Sequence, residues 1–394
     1  MTAEVAIVNS NAVAIVNSNA VAIAADSAVT IGRGKKIYNS AIKVFSLSKI
    51  APVAIMVYGN AGLLTVPWET IIKIYRSELK VTTFSKPEDY AAHFIDFLPK
   101  QKRFFTEELQ AAWIDGNIKG YLSLIRGELI EAVEHWINEH TQIDEQTTLS
   151  LLADVIERHH KRLAKLPYVE NMSAEWEASF KRQYKSKITD IVGDVFQNIA
   201  VDKSSVVKLH SIAGYVHARE IMSDSHSGVV ICGFGNDDVY PAVVTHLIDG
   251  VVTDQLKYKY SKEQSYRIKN GADCSIIPFA QDDMVASFME GMNPSVHLFT
   301  EKYLHQLFRR LPDLFADEEL AGDAPAKRAV RKRLVKDASK LLDEFFEQLR
   351  VHKREEHVDP ILSMVRVLPK DELAAMAEAL VNLTAFKRRM TDEL

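Results

Sequence analysis

The chain has 394 residues, 47% hydrophobic and 26% charged, globular proportions that exclude a disordered, collagenous or mucin-like protein and suggest two or three domains, or one with large insertions. With 48 Lys and Arg against 53 Asp and Glu the formal charge is −5, so no global positive field supports nucleic acid or an anionic membrane as a partner. Two cysteines, Cys232 and Cys274, are too few for a disulfide framework or a four-thiolate zinc site, and no uncharged apolar run reaches the roughly 18 residues that span a bilayer, so a cytoplasmic protein is expected.

Residues 4–58 are Val, Ile and Ala runs broken by Asn-Ser-Asn, Asp-Ser and Gly-Arg-Gly, the pattern of buried strands joined by tight turns. Pro67 opens a predicted helix with Trp68, Ile71, Ile72 and Tyr75 as its apolar stripe. Charged residues and helix formers dominate from Ser85 to Asp224, where Ile125, Leu129, Val133, Trp136 and Ile137 fall at helical spacing. Strands return at 228–258, where Asp249-Gly250 reads as a two-residue hairpin turn. A strand at Cys274–Ile277 and a helix at Asp282–Met292 follow. Beyond Pro294 two stripes stand out: Leu334, Ala338, Leu341, Leu342 and Phe345, then Leu373, Met376, Ala377, Leu380 and Leu383. The order β, α, β, α divides the chain into a first core half (1–84), a helical insertion (85–225), a second core half (226–292) and a helical extension (293–394).

Four places carry chemistry. Removal of Met1 would leave Thr2 first, and a terminal threonine joins a hydroxyl nucleophile to an α-amino group able to act as its base. Asp26 and Ser27 stand where a Val-Ala-Ile-Ala strand ends. Lys43 lies inside Ala41-Ile-Lys-Val-Phe45, where it either points to solvent or pairs with a carboxylate, for which Asp26 is the natural partner. Gly59 and Asn60 close a strand just before the Pro67 helix, where backbone N–H groups near a helix N-terminus suit an oxyanion. The clustered His135, His140, His159 and His160 lack metal-binding spacing, so no metal is expected. The basic run from Lys327 to Lys336 is flanked by acids and reads as a solvated helix face.

Together Thr2, Asp26-Ser27, Lys43 and Gly59-Asn60 resemble the proteasome β-type fold of the N-terminal nucleophile hydrolases. The similarity covers residues 2 to about 80 well and 226–292 more faintly, and lies nearest a bacterial proteasome-like branch of unassigned function. It implies an α+β fold: a four-layer αββα sandwich carrying the helical insertion and extension. It also implies hydrolysis of a peptide or other amide substrate, with Thr2 as nucleophile, Asp26, Lys43 and Ser27 tuning it, and the N–H groups of Gly59 and Asn60 holding the oxyanion. No cofactor is implied, and homo-oligomer formation is compatible with it. Departures are Asn60 in place of the family's glycine, Pro278–Gln281 in place of a serine-bearing turn, and the absence of closing strands before Leu394. A non-catalytic proteasome-like scaffold or interaction subunit is the alternative.

One feature bears on that choice. Val5–Ala12 recurs letter for letter as Val13–Ala20, a tandem octapeptide that marks a recent in-frame duplication. With one copy removed, a hairpin centred on the remaining serine sets Thr2 opposite Asp26. With both present and the turn on Ser18, Asp26 faces Ser10, and Thr2 is displaced by roughly 26 Å at about 3.3 Å per residue. Burial of the second copy's aliphatic side chains is expected to outweigh looping it out, leaving this chain catalytically compromised. Lys43 is expected to be buried within salt-bridge reach of Asp26 on an adjoining strand.

Overall fold

The computed structural model describes residues 12–26, 29–31, 36–38, 42–140, 142–271, 273–279, 283–310 and 324–391. In chain order its strands begin with β1 (Ala12–Val16), β2 (Val21–Ala25), β3 (Val29–Ile31), β4 (Lys36–Tyr38), β5 (Val44–Ser46), β6 (Val53–Gly59), β7 (Gly62–Leu63) and β8 (Val66–Pro67). Helices α1 (Trp68–Leu79), α2 (Pro87–Phe97), α3 (Glu107–His140), α4 (Glu145–Ala164), α5 (Ala174–Gln183), α6 (Lys185–Val195) and α7 (Lys203–Ala218) follow. Strands β9 (Ser227–Gly233), β10 (Ala242–Val252), β11 (Gln255–Tyr260), β12 (Tyr266–Arg267) and β13 (Ser275–Phe279) lead to helices α8 (Asp283–Glu290), α9 (Pro294–Arg310), α10 (Ala324–Lys353), α11 (Asp359–Val367) and α12 (Lys370–Thr391). The fold is therefore α+β with antiparallel sheets. Two units arise: described residues within 27–266 form one, and those within 10–26 and 267–394 the other. No helix among the described residues is long and apolar enough to cross a membrane.

In the first unit an antiparallel sheet runs β11-β10-β9-β6-β5. Strand alternation puts Val53, Ile55, Val57, Val229 and Ile231 on the face packed against α1 and α2, where Trp68, Ile71, Tyr75 and Phe94 are buried with them. Helices α3 to α7 have a core of their own, built on Ile114, Ile118, Leu122, Ile156, Leu209 and Ile212. One expectation fails here. Asp249 and Gly250 do not turn the chain: β10 continues through them to Val252, and the hairpin closes on Thr253 and Asp254, with φ of 48° and 63°. Two hydrogen bonds to Gln110 and an ion pair with Lys102 hold Asp254 in that left-handed conformation, so tertiary partners override the sequence signal.

In the second unit β1 is the central strand of the sheet β13-β1-β2, and all five of its residues are buried. Val13 and Ile15 pack with Val285, Val365, Leu373, Ala377 and Leu380 of α8, α11 and α12. The second octapeptide thus supplies the core strand, Ala12 being the last residue of the first copy. Its register pairs Ala12 with Ala25 and Val16 with Val21, which centres the turn between Ser18 and Asn19 rather than on Ser18. Asn17 explains the tighter closure. Its N–H donates to the Ala20 carbonyl at 3.0 Å, and its Oδ1 accepts from the N–H groups of Asn19 and Ala20. Its Nδ2 donates to the carbonyls of Val365 and Leu368, at 3.0 and 2.9 Å, where α11 ends.

Candidate functional site

Strand β6 carries the chain to Gly59 and Asn60. Gly59 has a φ of +79°, and a β-carbon there would meet the His226 carbonyl oxygen at 2.6 Å, so both the conformation and the space demand glycine. Asn60 holds the same neighbouring segment twice: its backbone N–H donates to the His226 carbonyl at 3.2 Å and its Nδ2 to the Ser225 carbonyl at 3.0 Å. The Ser227 hydroxyl donates to the Asn60 carbonyl at 3.2 Å and accepts the Trp68 indole N–H at 2.8 Å. Strand end, helix start and residues 223–227 thereby form one junction.

Lys43 is 6% exposed, and its carbonyl accepts the Val57 N–H at 2.9 Å. That places it opposite a residue two positions, about 7 Å, before Gly59. The fold therefore brings Lys43, Gly59 and Asn60 to one end of one sheet. Asp26 is half-buried just after β2, in the other unit's sheet. Strand β2 pairs with β1, and β5, which follows Lys43, pairs with β6. Thr2 and Ser27 lie outside the described residues.

Behind the junction lies a buried ionic network that sequence reasoning missed. Asp249 is freed by a bulge between Ile248 and Gly250, and Lys257 donates to it at 2.6 Å, with side-chain exposures of 1% for the lysine and 0% for the aspartate. The same ammonium donates to the carbonyls of Val216 and Ile221, which fills all three of its hydrogens. Asp249 also accepts the Ser223 hydroxyl and, at 3.2 Å, the Ser223 N–H. The network ties Val216, Ile221 and Ser223 to β10 and β11. Alternation in Gln-Leu-Lys-Tyr-Lys-Tyr sets Lys257 on the face opposite Leu256 and Tyr258, so no local signal marked it as buried.

His217 lies beside this network. Its Nδ1 contacts the Ala213 carbonyl at 2.8 Å, its ring meets Trp113 edge to face at 5.7 Å, and Nε2 has no partner among the described residues. Full burial holds its pKa down to about 4, so the ring is neutral at pH 7. Gly250 permits this packing: a β-carbon there would come within 2.6 Å of the Trp113 ring.

In the second unit a cavity of about 640 Å³ is lined by His297, Glu301, His305, Asp343 and Phe346 among others, and includes none of the sequence-predicted residues. Among the described residues no group of three or more His, Cys, Asp or Glu side chains is arranged to hold a metal ion. No family model matches the chain, and no curated protein matches it.

Proposed function

We propose that the chain carries the framework of a proteasome β-type threonine hydrolase, an αββα sandwich, and that in this chain the framework serves as a non-catalytic scaffold or interaction subunit. One observation carries the second part: β1 starts at Ala12, ten positions after Thr2, and takes its other four residues, Val13 to Val16, from the second octapeptide. A nucleophile at Thr2 is then separated from the core strand by a full extra copy.

The hydrolytic ancestry is supported by Lys43, buried opposite Val57, near the glycine turn that leads into α1. In that chemistry the Thr2 hydroxyl attacks a peptide or other amide carbonyl and its α-amine takes the proton. Lys43, Asp26 and Ser27 tune the amine, and the N–H groups of Gly59 and Asn60 hold the oxyanion. Here the Asn60 N–H already donates to the His226 carbonyl, so an oxyanion would have to displace that bond. Loss of an available donor favours the scaffold reading.

The test compares two proteins: this chain, and one lacking residues 5–12, whose hairpin keeps Val13–Ala25 and carries Glu4 in the place of Ala12. Each is treated with a threonine-directed electrophile and analysed by intact and N-terminal mass spectrometry. We expect no adduct on this chain and an adduct on Thr2 of the shortened one. Labelling of the unshortened chain that disappears in Thr2→Ala would sink the scaffold reading. Failure of both proteins to label, with Met1 removed, would sink the hydrolase ancestry.

A further inference from the structure

We propose that α10 is a self-association surface, on which a second copy of this chain docks its own α10 antiparallel. The helix has two apolar faces. Ala338 and Leu342 are buried, and Phe346 meets His297 and His305 of α9, so this side is occupied within the chain. Roughly a quarter-turn away, Val330, Leu341 and Phe345 are 40%, 61% and 48% exposed, with half-buried Leu334 between them. Spacings of four, seven and four residues keep these four side chains on one stripe, the pattern of a helix seam awaiting a partner helix.

Charge beside the stripe selects the occupant. Arg333, Asp337, Lys340 and Glu344 alternate in sign along its solvent-facing edge, 60–84% exposed, and among the described residues pair within the helix, Arg333 with Asp337 at 3.7 Å and Lys340 with Glu344 at 3.9 Å. Read backwards, the order plus, minus, plus, minus becomes minus, plus, minus, plus. An antiparallel copy therefore sets Arg333 against Glu344 and Asp337 against Lys340, each twice by symmetry. Val330 then faces Phe345 and Leu334 faces Leu341 about a centre between Asp337 and Ala338, one residue before that of the charge pairs. A parallel copy would set this charged edge against the partner's opposite edge, beside Ala338 and Leu342, and pair none of these charges. Apolar and ionic patterns thus fit one two-fold axis with an offset of one residue, about 1.5 Å, between core and rim.

A helix of 30 residues is about 45 Å long, so a strip about 10 Å wide on each copy gives about 900 Å² in total, at the small end for a specific interface. The dimer is accordingly concentration-dependent. Sedimentation velocity across a range of protein concentrations should show a monomer–dimer equilibrium. Arg333→Glu or Glu344→Arg alone should weaken it about tenfold, since each variant turns two attractive rim pairs repulsive. The double exchange Arg333→Glu with Glu344→Arg should restore it, which a folding defect would not allow.

Oxidative crosslinking reads the direction. Asp337→Cys should form a symmetric disulfide dimer, Val330→Cys and Phe345→Cys should each fail alone, and a mixture of the two should crosslink. A monomer at every concentration overturns the proposal. So does a dimer that is indifferent to the charge variants, or one that crosslinks through Phe345→Cys alone.

Discussion

Replacing Lys257 by methionine isolates what the buried network contributes. The thioether chain fills most of the space of the lysine stem, so the effect is chiefly electrostatic. Asp249 would remain with a side chain 0% exposed and only Ser223 donating to it. Breaking a buried pair from one side typically costs about 3–5 kcal/mol. The carbonyls of Val216 and Ile221 would also lose their donor, at about 1 kcal/mol or more each, while protonation of Asp249 would offset part of the loss. We expect about 4–6 kcal/mol from urea unfolding of the 27–266 unit followed by circular dichroism, with amide exchange rising first across residues 219–226. Adding Asp249→Asn to Lys257→Met should recover about half, because an amide can still accept from Ser223 and no charge is left buried. A loss below about 1 kcal/mol with unchanged exchange would refute the anchoring role.

Three further outcomes are expected. His217 has a folded pKa of about 4, below the ordinary 6.5, so the unfolded chain takes up a proton first and stability is lost as pH falls from about 6.5 toward 4. At pH 5 the deficit is about 2 kcal/mol relative to pH 7, and urea midpoints of His217→Phe should lack that component; an equal pH slope in both proteins would show that the ring is not the cause. Gly250→Ala drives a methyl group into the Trp113 ring and should lower stability by about 1–3 kcal/mol, with Trp113→Leu in the same chain partly rescuing it in thermal melts. Thr253→Asn relieves a β-branched residue at φ 48° and should raise stability by about 0.5–1 kcal/mol, whereas a fall would mean that the threonine has an unrecognised partner.

Local periodicity exposed some elements well. The stripe Trp68, Ile71, Ile72 and Tyr75 is buried in α1, and Val13 to Val16 form the central strand that their aliphatic character demands. Where sequence and structure part, a distant partner is responsible. Asp-Gly is strong turn chemistry, yet Gly250 is needed for the approach of Trp113 and Asp249 for Lys257, while the true turn borrows Gln110 and Lys102 to hold non-glycine residues at positive φ. Asn17 shifts the first hairpin by half a step because its amide reaches the end of α11, almost 350 residues away in sequence. The C-terminal stripe containing Leu341 and Leu342 reads as one face, although adjacent residues on a helix lie about 100° apart, and only Leu342 is buried. At the candidate site the sequence marked Lys43 and the Gly59 turn, but not the bonds that tie Asn60 to residues 225 and 226, since nothing local foretells which segment will lie beside a strand end.

The identical octapeptides also give the hairpin a spare part. A substitution that spoils the second copy as a central strand, such as Val13→Asp, need not destabilise the sheet without limit, because Val5–Ala12 can move in with the same letters. The connection to β2 would grow from four residues to twelve, a closure cost of about 1 kcal/mol, and Glu4 would take the place of Ala12. Damage from single changes in Val13–Ala20 is therefore bounded by that closure cost together with the cost of seating Glu4 where Ala12 is buried, a few kcal/mol in all. Redundancy of this kind gives the deeply buried central strand of the second unit a fallback that an ordinary core strand lacks.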